Sequence, residues 1–181
     1  GERVVVVCGC GGSSGATTVA LVLATAAGRA RVVETCAASS SGLPYAADVE
    51  LGETNSGWLR GARDDVVIER RLDPISSPDR LPPPAPGDVP VTIIDSSWDL
   101  DAVLASAGWL GDLARSAPKV VLVSRATIPG LRRLETAVEL VGEARAVAVT
   151  VGAKRWPRPV EQSAGAAVRR LATRERVVHV P

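Results

Sequence analysis

RVVVVCGCGGSSGATTVALVLATAAG, residues 3 to 28, decides the fold. It opens on a β-branched run, RVVVVC, of the kind that forms a strand buried on both faces. A glycine-rich turn follows, and residues 14 to 27, small and aliphatic, read as a helix that stops at Gly28. ARVVETC, residues 30 to 36, supplies a second buried strand, so the chain begins with a β-α-β unit.

A strand, a glycine-rich turn and a helix opening on Thr-Thr make an anion site, because backbone N–H groups converge and the helix N-terminus adds positive potential. Gly12, Ser13, Ser14, Gly15, Ala16, Thr17 and Thr18 are the candidate nucleotide-binding residues. The strict pattern G-x-x-x-x-G-K-[ST] asks for Gly and Lys where this chain has Cys10 and Ala16. Gly15, Thr17 and Thr18 match, and Thr17 stands where a Mg²⁺-binding hydroxyl belongs. A rival reading is an NAD(P)-binding Rossmann domain, with Glu34 as the ribose-binding acid about twenty residues on. Against it, Ser14 replaces the third glycine of G-x-G-x-x-G.

Outside this unit the same alternation returns. VPVTIID (89–95), KVVLVS (119–124), ARAVAVTV (144–151) and RVVHV (176–180) read as strands, with helical periodicity over 99–115, 130–142 and 160–172. Parallel strands joined by helical crossovers give an α/β fold, a three-layer α/β/α sandwich with a mostly parallel sheet. Residues 37–64, rich in Ser, Gly and Ala, suggest one short helix near Trp58, and VVIERRL (66–72) an edge strand. Residues 73–90 hold seven of the thirteen prolines and predict a loop, read foremost as a spacer. At 181 residues the chain is simplest as a single domain over 1–181.

The composition narrows the function classes. With no Phe, no Met and one Tyr, the core is aliphatic, and a formal net charge of +1 gives no global field for nucleic acid or anionic membrane. The excess of Arg over Lys, with its Ala and Val richness, resembles the coding bias of a high-G+C bacterium. Cys8, Cys10 and Cys36 are odd in number and lack paired C-x-x-C units, so no intrinsic metal site is expected and a reducing cytoplasm fits best. Neither a leader nor an apolar run of spanning length is visible, and both ends fit boundaries within a longer protein. His179, the only histidine, reads as packing, and Ser39 to Ser41 with Ser96 and Ser97 as turns. In GAKRWPRP (152–159), Lys154, Arg155 and Arg158 surround Trp156 in a Pro-bounded loop. That combination suits an acidic partner, a phosphate backbone or a lipid headgroup; the alternative is a solvated connection whose Trp packs over the sheet edge.

VVVVCGCGGSSGATTVALVLATAAG resembles the start of the MinD/ParA superfamily of deviant phosphate-loop ATPases, and within it the atypical CpaE/TadZ-like branch, whose loops often carry G-A-[ST]-T. VPVTIID resembles the family's Walker B strand, ending at Asp95, and APKVVLVSRATIPGLRRLETAVELV its next strand-loop-helix. The resemblance puts Gly11 at the signature lysine that active members reach across a dimer, and Ala16 at the phosphate-loop lysine. It also implies Mg²⁺-associated roles for Thr17, Glu34 and Asp95, with Cys36 in place of a second acid. The residues themselves leave Asp95 open as a helix or turn cap and Glu34 as a solvated or Arg-paired strand end. The family's adenine-reading Asn falls near Thr150 to Gly152, where no Asn stands.

A charge-assisted hydrogen bond contributes about 1.5–3 kcal/mol, so two missing lysines weaken phosphate binding by roughly 3–6 kcal/mol, two to four decades in affinity. The resemblance with these losses implies a degenerate MinD/ParA-like protein: no catalytic residues, at most weak ATP or ADP binding with Mg²⁺, and a positioning or scaffold role. Its partners would be proteins, including a second copy of the chain, with DNA or a membrane surface a further option that net charge does not indicate. Its place would be the cytoplasm, peripheral to membranes through partners. The alternative is an active ATPase that recruits a cation from elsewhere, with Arg125 or Lys154 as candidates.

Overall fold

The computed structural model describes residues 2–36, 42–43 and 45–181. Its elements run β1 (Arg3–Gly9), α1 (Ala16–Ala27), β2 (Ala30–Glu34), β3 (Val49–Glu53), β4 (Leu59–Arg63), β5 (Val66–Arg70), β6 (Val91–Ser96), α2 (Leu100–Ala105), α3 (Trp109–Ser116), β7 (Val120–Arg125), α4 (Ile128–Val141), β8 (Ala146–Val151), α5 (Arg158–Gln162), α6 (Ala166–Thr173) and β9 (Val177–Val180). One sheet holds nine strands in the order β3-β4-β5-β2-β6-β1-β7-β8-β9. Every pairing is parallel except β3 with β4 and β4 with β5, so β4 alone runs against the rest.

The valine-rich strands sort by period two onto the two faces. Val7, Val32, Ile93, Val121 and Val123 pack beneath α1, whose Ala16, Ala20 and Ala24 are buried and small enough to let the helix lie close to the sheet. Val6, Cys8, Val120 and Leu122 point the other way, under Leu131, Leu134 and Val138 of α4 and Val168 and Leu171 of α6. Val33 and Ile94 continue that second face beneath Val103, Leu110 and Ala114 of α2 and α3. The expected three-layer arrangement is therefore present, with α1 on one side and α2 to α6 on the other.

Four expectations are corrected. Residues 49–63 form a β-hairpin, not a helix near Trp58; Trp58 is fully buried in the turn between its strands. That hairpin pairs onto β5, so 66–70 is an interior strand. The helical run 99–115 breaks into α2 and α3 at Ser106 to Gly108, and 160–172 into α5 and α6 at Ser163 to Gly165. Residues 73–90 form a loop with a single 3₁₀ turn at Pro78–Arg80. The serine cluster 39–41 lies outside the described residues.

An ion cluster fastens the hairpin side of the sheet. Glu69 on β5, fully buried, accepts from Arg31 of β2 at 3.3 Å and from Arg60 of β4 at 2.7 Å. Arg31 also donates to the Ala85 carbonyl at 2.7 Å, which ties the proline-rich loop to the same cluster. Among the described residues no helix is long and apolar enough to cross a membrane.

Candidate phosphate-binding site

The strand order reverses at β1, which has β6 on one side and β7 on the other. Ligands of open α/β sheets bind beyond the carboxyl ends of strands at such a reversal. The glycine-rich turn leaves β1 there and leads into α1, with Gly15 at φ 91° and Ser13 at φ 57°, both in the left-handed region. No side chain caps α1. Val19 N–H bonds to the Gly15 carbonyl, and the amides of Ala16, Thr17 and Thr18 are the first-turn donors with no intrahelical partner. A Cβ at Gly15 would meet Val151 of β8 at an ordinary contact distance of 3.4 Å, so it is the left-handed backbone that favours glycine there.

This turn lines a cavity of about 460 Å³ with Gly12, Ser13, Ser14, Gly15, Ala16, Thr17 and Thr18 on one side and Ser96, Ser97, Trp98 and Asp99 on the other. All seven loop residues expected from the sequence thus meet in one place. Trp98, which no sequence pattern marked, faces them with its indole N–H donating to the Thr35 carbonyl.

Beside the loop lies a buried acidic pair. Glu34 and Asp95 are neighbours in register at the ends of β2 and β6. Glu34 is buried, not solvated, and accepts from the Gly42 amide at 3.0 Å. Asp95 is fully buried, and neither carboxylate oxygen accepts a hydrogen bond of ordinary geometry among the described residues. Burial pushes its carboxyl up from the ordinary value to about 6; the nearby Thr17 hydroxyl pulls the other way, and the Glu34 charge adds to the rise. Asp95 therefore caps no helix: α2 is preceded by Asp99 at its N-cap with no side-chain cap, and what Asp95 offers the strand end is its backbone carbonyl, which accepts from Thr35 N–H. Cys36 completes the group, its thiol pushed up by burial and by the charges of Glu34 and Asp95. Burial likewise holds Cys8 and Cys10 up at about 12, protonated and unreactive.

A buried carboxylate with two orphaned oxygens is costly unless a cation meets it. With Thr17 beside it and free amides above, the set fits a Mg²⁺ ion brought in on phosphates, which would neutralise the acid and polarise the phosphoryl oxygens. Among the described residues no group of three or more His, Cys, Asp or Glu could hold a metal by itself.

The remaining candidates lie elsewhere. Neither Arg125 nor Lys154 lines the cavity. Arg133 of α4 does not line it either, but borders the adjoining hollow and lies against the outer side of Gly11, where an added Cβ would come within 2.6 Å of its Nη1. Lys154, Arg155 and Arg158 are exposed around a half-buried Trp156, which packs against the core and meets the His179 ring edge-on at 5.3 Å. Trp156 Nε1 donates to Thr150 Oγ1 at 3.1 Å, and the same hydroxyl bonds His179 Nδ1 at 2.9 Å, so His179 packs as expected and Thr150 is engaged away from the loop.

No family model and no curated protein sequence matches the chain, whereas solved structures do. A plasmid partition protein of Borrelia burgdorferi bound to AMPPNP aligns over 99% of this chain and 86% of its own, at a TM-score of 0.57 and 12% identity. A nucleotide-binding protein of Archaeoglobus fulgidus in complex with ADP aligns over 99% and 81%, at 0.59 and 15%. The cell division ATPase MinD of Pyrococcus furiosus aligns over 88% and 78%, at 0.51 and 20%. The chain has the fold of these partition and division ATPases.

Proposed function

We propose that this is a MinD/ParA-like protein that binds a nucleoside di- or triphosphate weakly and serves as a positioning or scaffold module, not as an efficient ATPase. One observation carries the reading: the cavity keeps the amides of α1, Thr17 and the orphaned Asp95, while Ala16 and Gly11 stand where two lysines would be. Phosphoryl transfer depends on cations that stabilise the transition state more than binding does. Hydrolysis therefore suffers more than affinity. The neighbours solved with AMPPNP and ADP support nucleotide as the ligand class. The degenerate loop supports the CpaE/TadZ-like branch, and the exposed Lys154, Arg155 and Arg158 support a protein partner of acidic surface.

The test is calorimetry with ATP and ADP in Mg²⁺ alongside an ATPase assay. We expect binding in the high-micromolar to millimolar range, about two to four decades weaker than with both lysines, and no turnover above background. ATP hydrolysis abolished by Asp95→Ala would remove this reading in favour of the active-ATPase alternative, which Arg133 beside the loop supports.

A further inference from the structure

Gly11 separates two hollows. One is the loop cavity; the other, of about 320 Å³, is lined by Gly9, Cys10, Gly11, Asp99 and Asp101 together with Arg133. Arg133 reaches this wall from α4, and its Cδ and Nη1 would lie 3.2 and 2.6 Å from a Cβ at position 11. Gly11 has φ 154°, a conformation side chains rarely adopt, and a side chain there would also have to displace the end of Arg133. Arg133 makes no ion pair or hydrogen bond among the described residues, although Asp99 and Asp101 border the same hollow. An unspent guanidinium thus rests on the glycine that forms the rim of the phosphate loop.

We propose that Arg133 is the phosphate-binding cation of this site, acting within its own chain from the space left by the missing side chain at Gly11. The inference rests on the nucleotide reading and adds a residue to it. A side chain at 11 and the end of Arg133 would share one space, so the glycine leaves room for the guanidinium at the loop's rim. A guanidinium offers a planar fork of donors suited to phosphate oxygens. Arg133 borders the hollow beyond Gly11 whereas Ala16 lines the loop cavity itself, so Arg133 acts on bound phosphates at the rim without restoring the lysine inside the loop.

The experiment titrates the protein with inorganic tripolyphosphate and with ATP, each with Mg²⁺, by calorimetry. Arg133→Ala is compared with Arg133→Lys and with Arg132→Ala, which removes the same charge from the adjacent exposed position. Arg133→Ala is expected to weaken both ligands roughly 10- to 100-fold, Arg133→Lys less, and Arg132→Ala under about twofold. Near-equal affinity of Arg133→Ala and the parent protein, or an equal loss in Arg132→Ala, overturns the assignment and leaves nucleotide binding standing. Tripolyphosphate binding that needs Arg133, with ATP bound no better, upholds the assignment and sinks the nucleotide reading. If the parent protein binds neither anion, both fall.

Discussion

Asp95 concentrates the chemistry of the site in one carboxyl group. Burial raises its pKa in the folded protein to about 6, above the ordinary carboxylate value of 3.8, so the folded protein holds this proton more tightly than the unfolded chain. The contribution of this group is fully present below about pH 4 and is lost as pH rises through 6, on the order of 3 kcal/mol. Asp95→Asn removes the penalty, so the variant is expected to melt higher than the parent at pH 7.5, with the gap narrowing to about a third at pH 4.5. The same variant should lose the stabilisation that Mg²⁺ with ATP gives the parent, since a ligand stabilises only the state it binds. Melting curves across that pH range, with and without Mg²⁺-ATP, check both halves. Ala16 argues the complementary case. It lines the cavity at the loop's lysine position, so Ala16→Lys should tighten ATP binding by about 10- to 100-fold by calorimetry. An unchanged affinity would mean that the missing charge is not what limits binding.

At the scale of elements, the hairpin β3–β4 and its ion cluster were hidden from the sequence, whereas the parallel core was legible. β1, β6, β7 and β8 are rich in β-branched residues and largely buried, so hydrophobic runs alone mark them. β3 reads VELGE and is exposed at every residue, and β4 reads LRGAR; neither has the β-branched signature, because both sit at the sheet's margin and are held by pairing and charge. The two missed helix breaks share the tripeptide Ser-Ala-Gly, at 106–108 and 163–165, a punctuation that helical periodicity overrode. In the site, the loop residues were readable by motif, but Arg133 lies on the exposed face of α4 and only the fold brings it to Gly11. Glu69 shows what the margin depends on. Glu69→Ala strips the buried partner from Arg31 and Arg60 and should cost about 3–5 kcal/mol in urea unfolding. A loss under about 1 kcal/mol would show that Glu2, which also meets Arg31 at 3.1 Å, carries the charge alone.

For the whole molecule, the sheet order places β1 at the reversal, and every group discussed at the site stands at or beyond the carboxyl ends of β1, β2 and β6 or on α1 and α4. The MinD/ParA resemblance implies, at the loop's rim, a lysine that reaches across a dimer. Here that position is Gly11, and the nearest cation, Arg133, folds onto its own loop. A nucleotide held by one chain's amides and its own arginine has no link to a partner chain, so nucleotide should not alter the association state. Light scattering on the purified protein is expected to give the same mass without nucleotide, with ADP and with ATP, each in Mg²⁺, whatever that mass is. A dimer that appears only with ATP would place a bridging cation across the interface, and Arg133→Ala would then show whether the arginine reaches outward, since its loss would abolish the ATP-dependent mass change while a purely internal role would leave it intact.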